Sequence, residues 1–273
     1  LPQAFHLAIV AQNYRRSTMR RLILALLAVA AITTPARAEA VLDHIRATGE
    51  LRVGTTGDYK PFSFRNADGS YTGADIEMAG RLAQRLGVRL VFVPTVWGQL
   101  MADFTAQKFD IAMGGVTNLP PRAAKGPFGR TVYVDGKRPI ARCTDRDRFT
   151  SIEAINQPNV RAVVNPGASN EEFAHARFPL AKLTVHSDNA TVFDEISAGR
   201  ADVMVTDGIE VDHQAFIHKD LCPTAVPAAF THLEKAYWLQ PDRDFEALVN
   251  KWLDEEIASG NWKRTLDKAL AEP

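Results

Sequence analysis

The sequence predicts an α/β fold of mostly parallel sheet, arranged as two lobes joined by two crossing segments with a ligand cleft between them. Three observations carry this. Short apolar strand patterns alternate with amphipathic helical ones along most of the chain. A second strand–helix series begins at Pro139. The last strand pattern, Ala236 to Leu239, is followed by two helical patterns that return the chain to the first lobe.

In order, residues 43–49 read as a short helix ended by Gly49, and residues 51–55 as a strand running into the loop Gly57-Asp58-Tyr59-Lys60-Pro61-Phe62. Ile76, Ala79, Leu82, Ala83 and Leu86 recur at helical spacing, and Gly87 stops that helix. Residues 90–93 read as a fully buried strand, 97–106 as a helix started by Trp97, and 109–113 as a third strand. The second series has a strand at 139–143, then helices at 151–155, 170–177, 191–198 and 209–217 around strands at 160–164, 182–185 and 202–205. Amphipathic helices at 245–259 and 262–271 end the chain. The crossings fall near Asp135–Pro139 and Thr231–Lys235, which makes 39–137 with 233–273 one lobe and 138–232 the other. A single continuous sheet is the alternative topology.

Residues 1–38 stand apart. Met19-Arg20-Arg21 is a basic start, Leu22 to Ile32 an apolar run, and Ala36-Arg37-Ala38 supplies small residues for cleavage near Ala38. That is the pattern of a cleavable secretory signal, preceded by an upstream segment, and it predicts a periplasmic protein. The run is too short for a span of roughly 20 residues, so stable membrane insertion is not expected. Removing 1–38 takes away Arg15, Arg16, Arg20, Arg21 and Arg37 and no acid, so a chain with 32 residues of each sign becomes one of net charge −5. A mildly acidic surface argues against nucleic acid and anionic membranes. Cys143 and Cys222, the two cysteines, are most simply a disulfide in an exported chain, and neither has the spacing of a metal ligand.

Candidate site residues cluster where strands end, the place where open α/β sheets present ligands. Tyr59 and Phe62 offer flat apolar faces, with Phe64 read as core, and Trp97 reads as a cleft wall. Gly115 permits close backbone approach, Thr117 offers a hydroxyl, and Arg122 suits a two-point carboxylate clamp. Asn165, Gly167, Ser169 and Asn170 form a glycine turn into a helix start, where backbone N–H groups favour an anion. Ser169 and Glu172 fit a capping box, and Glu171 is expected to face solvent. Thr206-Asp207-Gly208-Ile209-Glu210 places two acids at a strand end. Asp207 capping the next helix with Glu210 as its third-position partner is one reading. A cleft acid at Glu210 is the other, with burial raising its pKa. Half-protonation near pH 7 would cost roughly 4 kcal/mol against an ordinary value of about 4.3.

Residues 41–272 resemble the type II periplasmic solute-binding proteins and, within them, the cyclohexadienyl (prephenate/arogenate) dehydratases. The resemblance is carried by TTGDYKPFSF (55–64), VPTVWGQLMADF (93–104), KFDIAMGG (108–115), VVNPGASNEEFA (163–174), MVTDGIE (204–210) and EKAYWL (234–239), with both cysteines in family positions. The run from Asn118 to Pro121 departs from the family pattern. The resemblance implies the type II binding-protein fold, with Glu210 as general acid and Trp97, Asn165 and Asn170 lining the site. It implies decarboxylative dehydration of prephenate or arogenate, which needs no metal or organic cofactor; our own reading of the strand end adds Asp207 as the holder of arogenate's amine. The expected partner is a small dicarboxylate or amino-acid substrate, and a homo-oligomer stays open. The alternative is a non-catalytic amino-acid carrier that partners an ABC transporter permease.

Overall fold

The computed structural model describes residues 40–272 except Ala168; the predicted leader and its cleavage near Ala38 lie outside the described residues. Two five-stranded sheets replace the single-sheet alternative. In the first, β1 (Glu50–Thr55) lies parallel between β5 (Arg89–Pro94) and β6 (Ile111–Ala112). Beyond β6, β13 (Leu233–Leu239) runs antiparallel to both β6 and β7 (Phe128–Asp135). In the second, β9 (Arg161–Val164) lies parallel between β10 (Lys182–Val185) and β11 (Val203–Asp207). There β8 (Lys137–Arg142) is antiparallel to β11 and to β12 (Leu221–Pro223). A small third sheet, β2 (Asp58–Tyr59), β3 (Ser63–Arg65) and β4 (Tyr71–Thr72), folds from the loop after β1.

Helical spacing explains how the first sheet is covered. α1 (Val41–Thr48) and α2 (Ala74–Leu86) pack on it, α2 through Met78, Ala79 and Leu82. α3 (Leu100–Thr105) and α4 (Pro120–Ala123) are short, and Pro120 stands at the first position of α4, where no intrahelical N–H is needed. The helices of the second sheet are α5 (Ile152–Ile155), α6 (Ser169–Arg177), α7 (Asp194–Ser197) and α8 (Gly208–Ile217). The last two, α9 (Arg243–Ala258) and α10 (Asn261–Leu270), join the first sheet's core. α9 buries Phe245, Val249, Trp252 and Leu253, and α10 buries Trp262, Leu266 and Ala269, each set on one helical stripe. In the second sheet β11 is buried on both faces. Val203 and Val205 join a cluster with Phe149 and Ile155, while Met204 joins one with Val192, Phe193 and Ile196. Cys143 and Cys222 form a disulfide beside the β8–β12 pair, with Cα atoms 4.8 Å apart.

Several expectations change. The run 90–93 is half-buried rather than fully buried, because β5 is a sheet edge. Trp97 lies in the turn before α3 rather than starting it, and only 194–197 of the predicted 191–198 is helical. Phe62, offered as a ligand face, is wholly buried against Tyr59 and Tyr133, whereas Phe64 is half-buried under the Lys60 ammonium, 4.3 Å from its ring centre. Strands β7 and β12 and the small sheet are not evident in the sequence pattern. Among the described residues no helix is long and apolar enough to cross a membrane.

Candidate active site

The carboxyl ends of β1, β6, β9 and β11 and the starts of β8 and β13 converge on one cavity. Its walls include Tyr59, Trp97, Gly115, Thr117, Arg122, Asn165, Ser169, Asn170, Asp207 and Glu210, together with Asn189 and Lys235. Of the residues predicted from sequence, Phe62 and Gly167 are outside this lining. Gly167 has φ 70°, and an added Cβ there would lie 2.4 Å from the Cα of Gly98. Gly115 is required for a different reason: at φ 73° its missing Cβ leaves room for the Tyr59 ring, which would be 2.4 Å away. Asp75 fixes that turn by accepting the N–H groups of Gly114 (2.9 Å) and Gly115 (2.7 Å), and burial pushes its own pKa up to about 6.

Asp207 is the electrostatic centre. Its Oδ1 accepts from the Lys137 ammonium at 2.8 Å, and its Oδ2 from Lys235 at 2.5 Å and the Tyr59 hydroxyl at 2.6 Å. Burial alone would raise the Asp207 pKa, but the two ammonium groups outweigh it and hold the carboxyl well below the ordinary range. Burial also lowers Lys235, opposed by Asp207. Both oxygens of Asp207 thus already accept from ammonium groups of the protein itself.

Nor does Asp207 cap α8. Its side chain makes no cap bond. Asp135, at the end of β7, takes that role instead by accepting the N–H groups of Gly208 (3.1 Å) and Ile209 (2.9 Å). With the helix start satisfied from outside, Glu210 is released into the cavity wall, where it is 3% exposed. A relay of hydrogen bonds positions it. Lys137 donates to Asn170 Oδ1; Asn170 Nδ2 donates to Asn165 Oδ1 and Thr206 Oγ1, both at 2.9 Å; Thr206 donates to Glu210 Oε2. Desolvation, reinforced by the Asp207 charge, pushes the Glu210 pKa up to about 8 against the pull of Thr206 and the two lysines. Glu210 therefore holds its proton at neutral pH.

Arg122 is buried, with its NH1 donating to the Thr117 carbonyl at 3.0 Å. Among the described residues no carboxylate lies within ion-pairing distance of it, so the guanidinium is a ready anion site. Thr117 Oγ1 accepts from Lys235 at 2.8 Å. Trp97 stands edge-on to Tyr59, ring centres 5.8 Å apart, and donates to Asp58 at 3.0 Å. The capping-box reading of Ser169 gives way, since its hydroxyl accepts from Lys137 at 3.1 Å. Glu171 does not face solvent freely: its carboxylate folds back to accept the N–H of Gly167.

Sequence reasoning missed Lys137, Lys235, Asp135 and Asn189. A lysine at the start of one crossing strand, and another inside the strand pattern EKAYWL, are signals that a charge partner is buried nearby. Asn189 donates to the Asp58 carbonyl at 2.9 Å, and its Oδ1 is buried without a partner.

The model of the bacterial extracellular solute-binding proteins, family 3, matches residues 51–272. This chain belongs to that family. Within it, the chain is similar to the cyclohexadienyl dehydratase of Pseudomonas aeruginosa, at 43% identity over 95% of this chain and 96% of that protein. Among solved structures, this family 3 chain resembles an ancestral amino acid-binding protein described as a precursor of cyclohexadienyl dehydratase. The TM-score is 0.77 at 35% identity, covering 85% of this chain and 99% of that one. It also resembles an ancestral cyclohexadienyl dehydratase, with a TM-score of 0.54 at 48% identity over 86% and 98% of the two chains.

Proposed function

We propose that this chain is a periplasmic cyclohexadienyl dehydratase, which converts prephenate or arogenate to phenylpyruvate or phenylalanine. The observation that carries the reading is the buried Glu210 carboxyl, its pKa raised to about 8 and placed in the wall of a cavity that the buried Arg122 and Lys235 also line. A general acid works best when its pKa lies near the working pH. Arg122 would take one substrate carboxylate, and the start of α6 at Ser169 and Asn170 the other. Glu210 donates its proton to the departing ring hydroxyl, which leaves as water. The bond to the ring carboxylate breaks, its electron pair completes the aromatic ring, and carbon dioxide is released. Glu210 recovers its proton from solvent. The 43% identity to the Pseudomonas aeruginosa enzyme over 95% of this chain supports the same assignment. The predicted secretory leader and the disulfide support an oxidising, periplasmic location. The lobe limits at about residues 138 and 233 are proposed from the placement of β8 and β13 at the crossings.

The test is to incubate purified protein with prephenate and follow phenylpyruvate absorbance. Turnover that is lost in Glu210→Gln supports the assignment. No turnover, with ligand recovered unchanged, returns the chain to the carrier reading.

A further inference from the structure

We propose that Asp75, which stands outside the cavity lining, is a positioning residue for the reaction: its carboxylate fixes the Gly114–Gly115 turn, and that turn seats the Tyr59 ring whose hydroxyl holds Asp207. The role rests on the proposed dehydratase function and adds a residue to it.

Asp75 lies in the first turn of α2 and is 1% exposed. Three donors surround its carboxylate. Oδ2 accepts the N–H groups of Gly114 at 2.9 Å and Gly115 at 2.7 Å, and Oδ1 accepts the Tyr237 hydroxyl at 3.1 Å. An ionised carboxylate only accepts, so that form satisfies all three. A protonated carboxyl brings one more hydrogen into a ring of donors, and at least one of these bonds must then turn or break.

The turn touches the cavity wall directly. A Cβ at residue 115 would come within 2.4 Å of the Tyr59 ring and 2.7 Å of the Phe62 ring, so the backbone there is the seat on which both rings rest. On Tyr59 the Lys235 ammonium stands 5.1 Å from the ring centre. Two residues past the turn, Thr117 accepts from the same ammonium. A shift of the turn therefore reaches Tyr59, Thr117 and Lys235 together, and through Tyr59 and Lys235 it reaches Asp207 Oδ2. The Asp207 charge in turn helps keep the proton on Glu210.

Among the described residues, the charged and titratable groups facing Asp75 are Tyr237 and Lys235, both on β13. Glu77, on its own helix, turns to Arg81 and Lys268, and Glu256 of α9 pairs with Arg81. Burial pushes the Asp75 pKa up to about 6 against the pull of the two glycine N–H groups, Tyr237 and Lys235. The carboxylate form is thus lost just below neutral pH, and the seat of Tyr59 loosens with it.

The experiment measures kcat and KM for prephenate from pH 5 to pH 9, corrected for uncatalysed aromatisation, in wild type and Asp75→Asn. Wild-type kcat is expected to fall by about tenfold between pH 7 and pH 5, the loss set by one group with its midpoint near 6, while KM changes less. Asn keeps the shape and does not titrate, so the acid limb is expected to vanish in Asp75→Asn. An unmoved acid limb in Asp75→Asn, or a wild-type rate flat from pH 7 to pH 5, overturns the assignment. A second arm needs no substrate. The amide signals of Gly114 and Gly115 and the ring signals of Tyr59 are expected to titrate together in NMR spectra of wild type, and to stay in place in Asp75→Asn. A Tyr59 ring that stays fixed while the glycine amides titrate overturns the assignment. Absent turnover at every pH, with these signals titrating together, supports the seat and removes only the dehydratase reading.

Discussion

The Tyr59 hydroxyl donates to Asp207 at 2.6 Å, linking the small sheet that follows β1 to the end of β11 in the other five-stranded sheet. The same carboxylate also holds Lys137 and Lys235, which open or lie within the two crossing strands. One acid thus ties together both lobes and both connections, and its charge helps keep a proton on Glu210 nearby.

Removing the acid itself tests the mechanism most directly. Glu210→Gln keeps the shape and loses the proton donor, so kcat should fall by about 10²–10⁴. In the wild-type protein, rate should fall as pH rises through about 8, where Glu210 ionises. A pH–rate profile in prephenate checks both.

Stability should respond to the same group. The folded pKa of Glu210, about 8, lies above its ordinary 4.5, so its contribution is fully present below pH 4.5 and is lost as pH rises through 8. The ceiling on that loss is on the order of 4–5 kcal/mol, at about 1.4 kcal/mol per pH unit of separation, and relaxation reduces it. Urea melts at pH 6 and pH 9 should therefore differ more for wild type than for Glu210→Gln.

Asp207→Asn removes one charge and leaves two buried ammonium groups facing each other. Breaking such a cluster costs about 3–5 kcal/mol. The remaining lysines then favour ionised Glu210, so any residual activity should lose its alkaline limb at lower pH than wild type. An unshifted limb would show that Asp207 does not act on Glu210.

Asp135→Ala uncaps α8. The expected loss is about 1–2 kcal/mol of stability, measured by chemical denaturation. A drop in kcat larger than the drop in KM would follow, because Glu210 rides on the first turn of that helix.

Opening the disulfide should weaken the second lobe most. Its half-cystines are 79 residues apart, and removing a crosslink of that span costs about 2–5 kcal/mol. Cys143→Ser with Cys222→Ser should lower the unfolding temperature without changing the preferred substrate.

Much of this was legible in the sequence. Strand ends are announced by local pattern, so Tyr59, Asn165, Asp207 and Glu210 fall together once an α/β order is recognised. Periodicity also gives α2, α9 and α10 with little error at their ends. What stayed hidden depends on partners far along the chain. Asp207 and Glu210 read locally as a cap and its partner, because nothing near them shows that Asp135, 72 positions earlier, already satisfies the helix start. Lys137 and Lys235 signal a buried charge partner by their place in strands, but only the crossings show that the two share one carboxylate. The edge position of β5 is a matter of sheet order, which a short apolar run does not encode.

Gly98 and Gly167 meet as bare backbone, and neither position has side-chain atoms to interlock. The hold between the two sides comes instead from polar contacts: Tyr59 and Lys235 on Asp207, and Asn189 on the Asp58 carbonyl. Parting the two sheets then requires these contacts to break together, and Tyr59→Phe, which removes one of them, should shorten the residence time of a bound product in stopped-flow release.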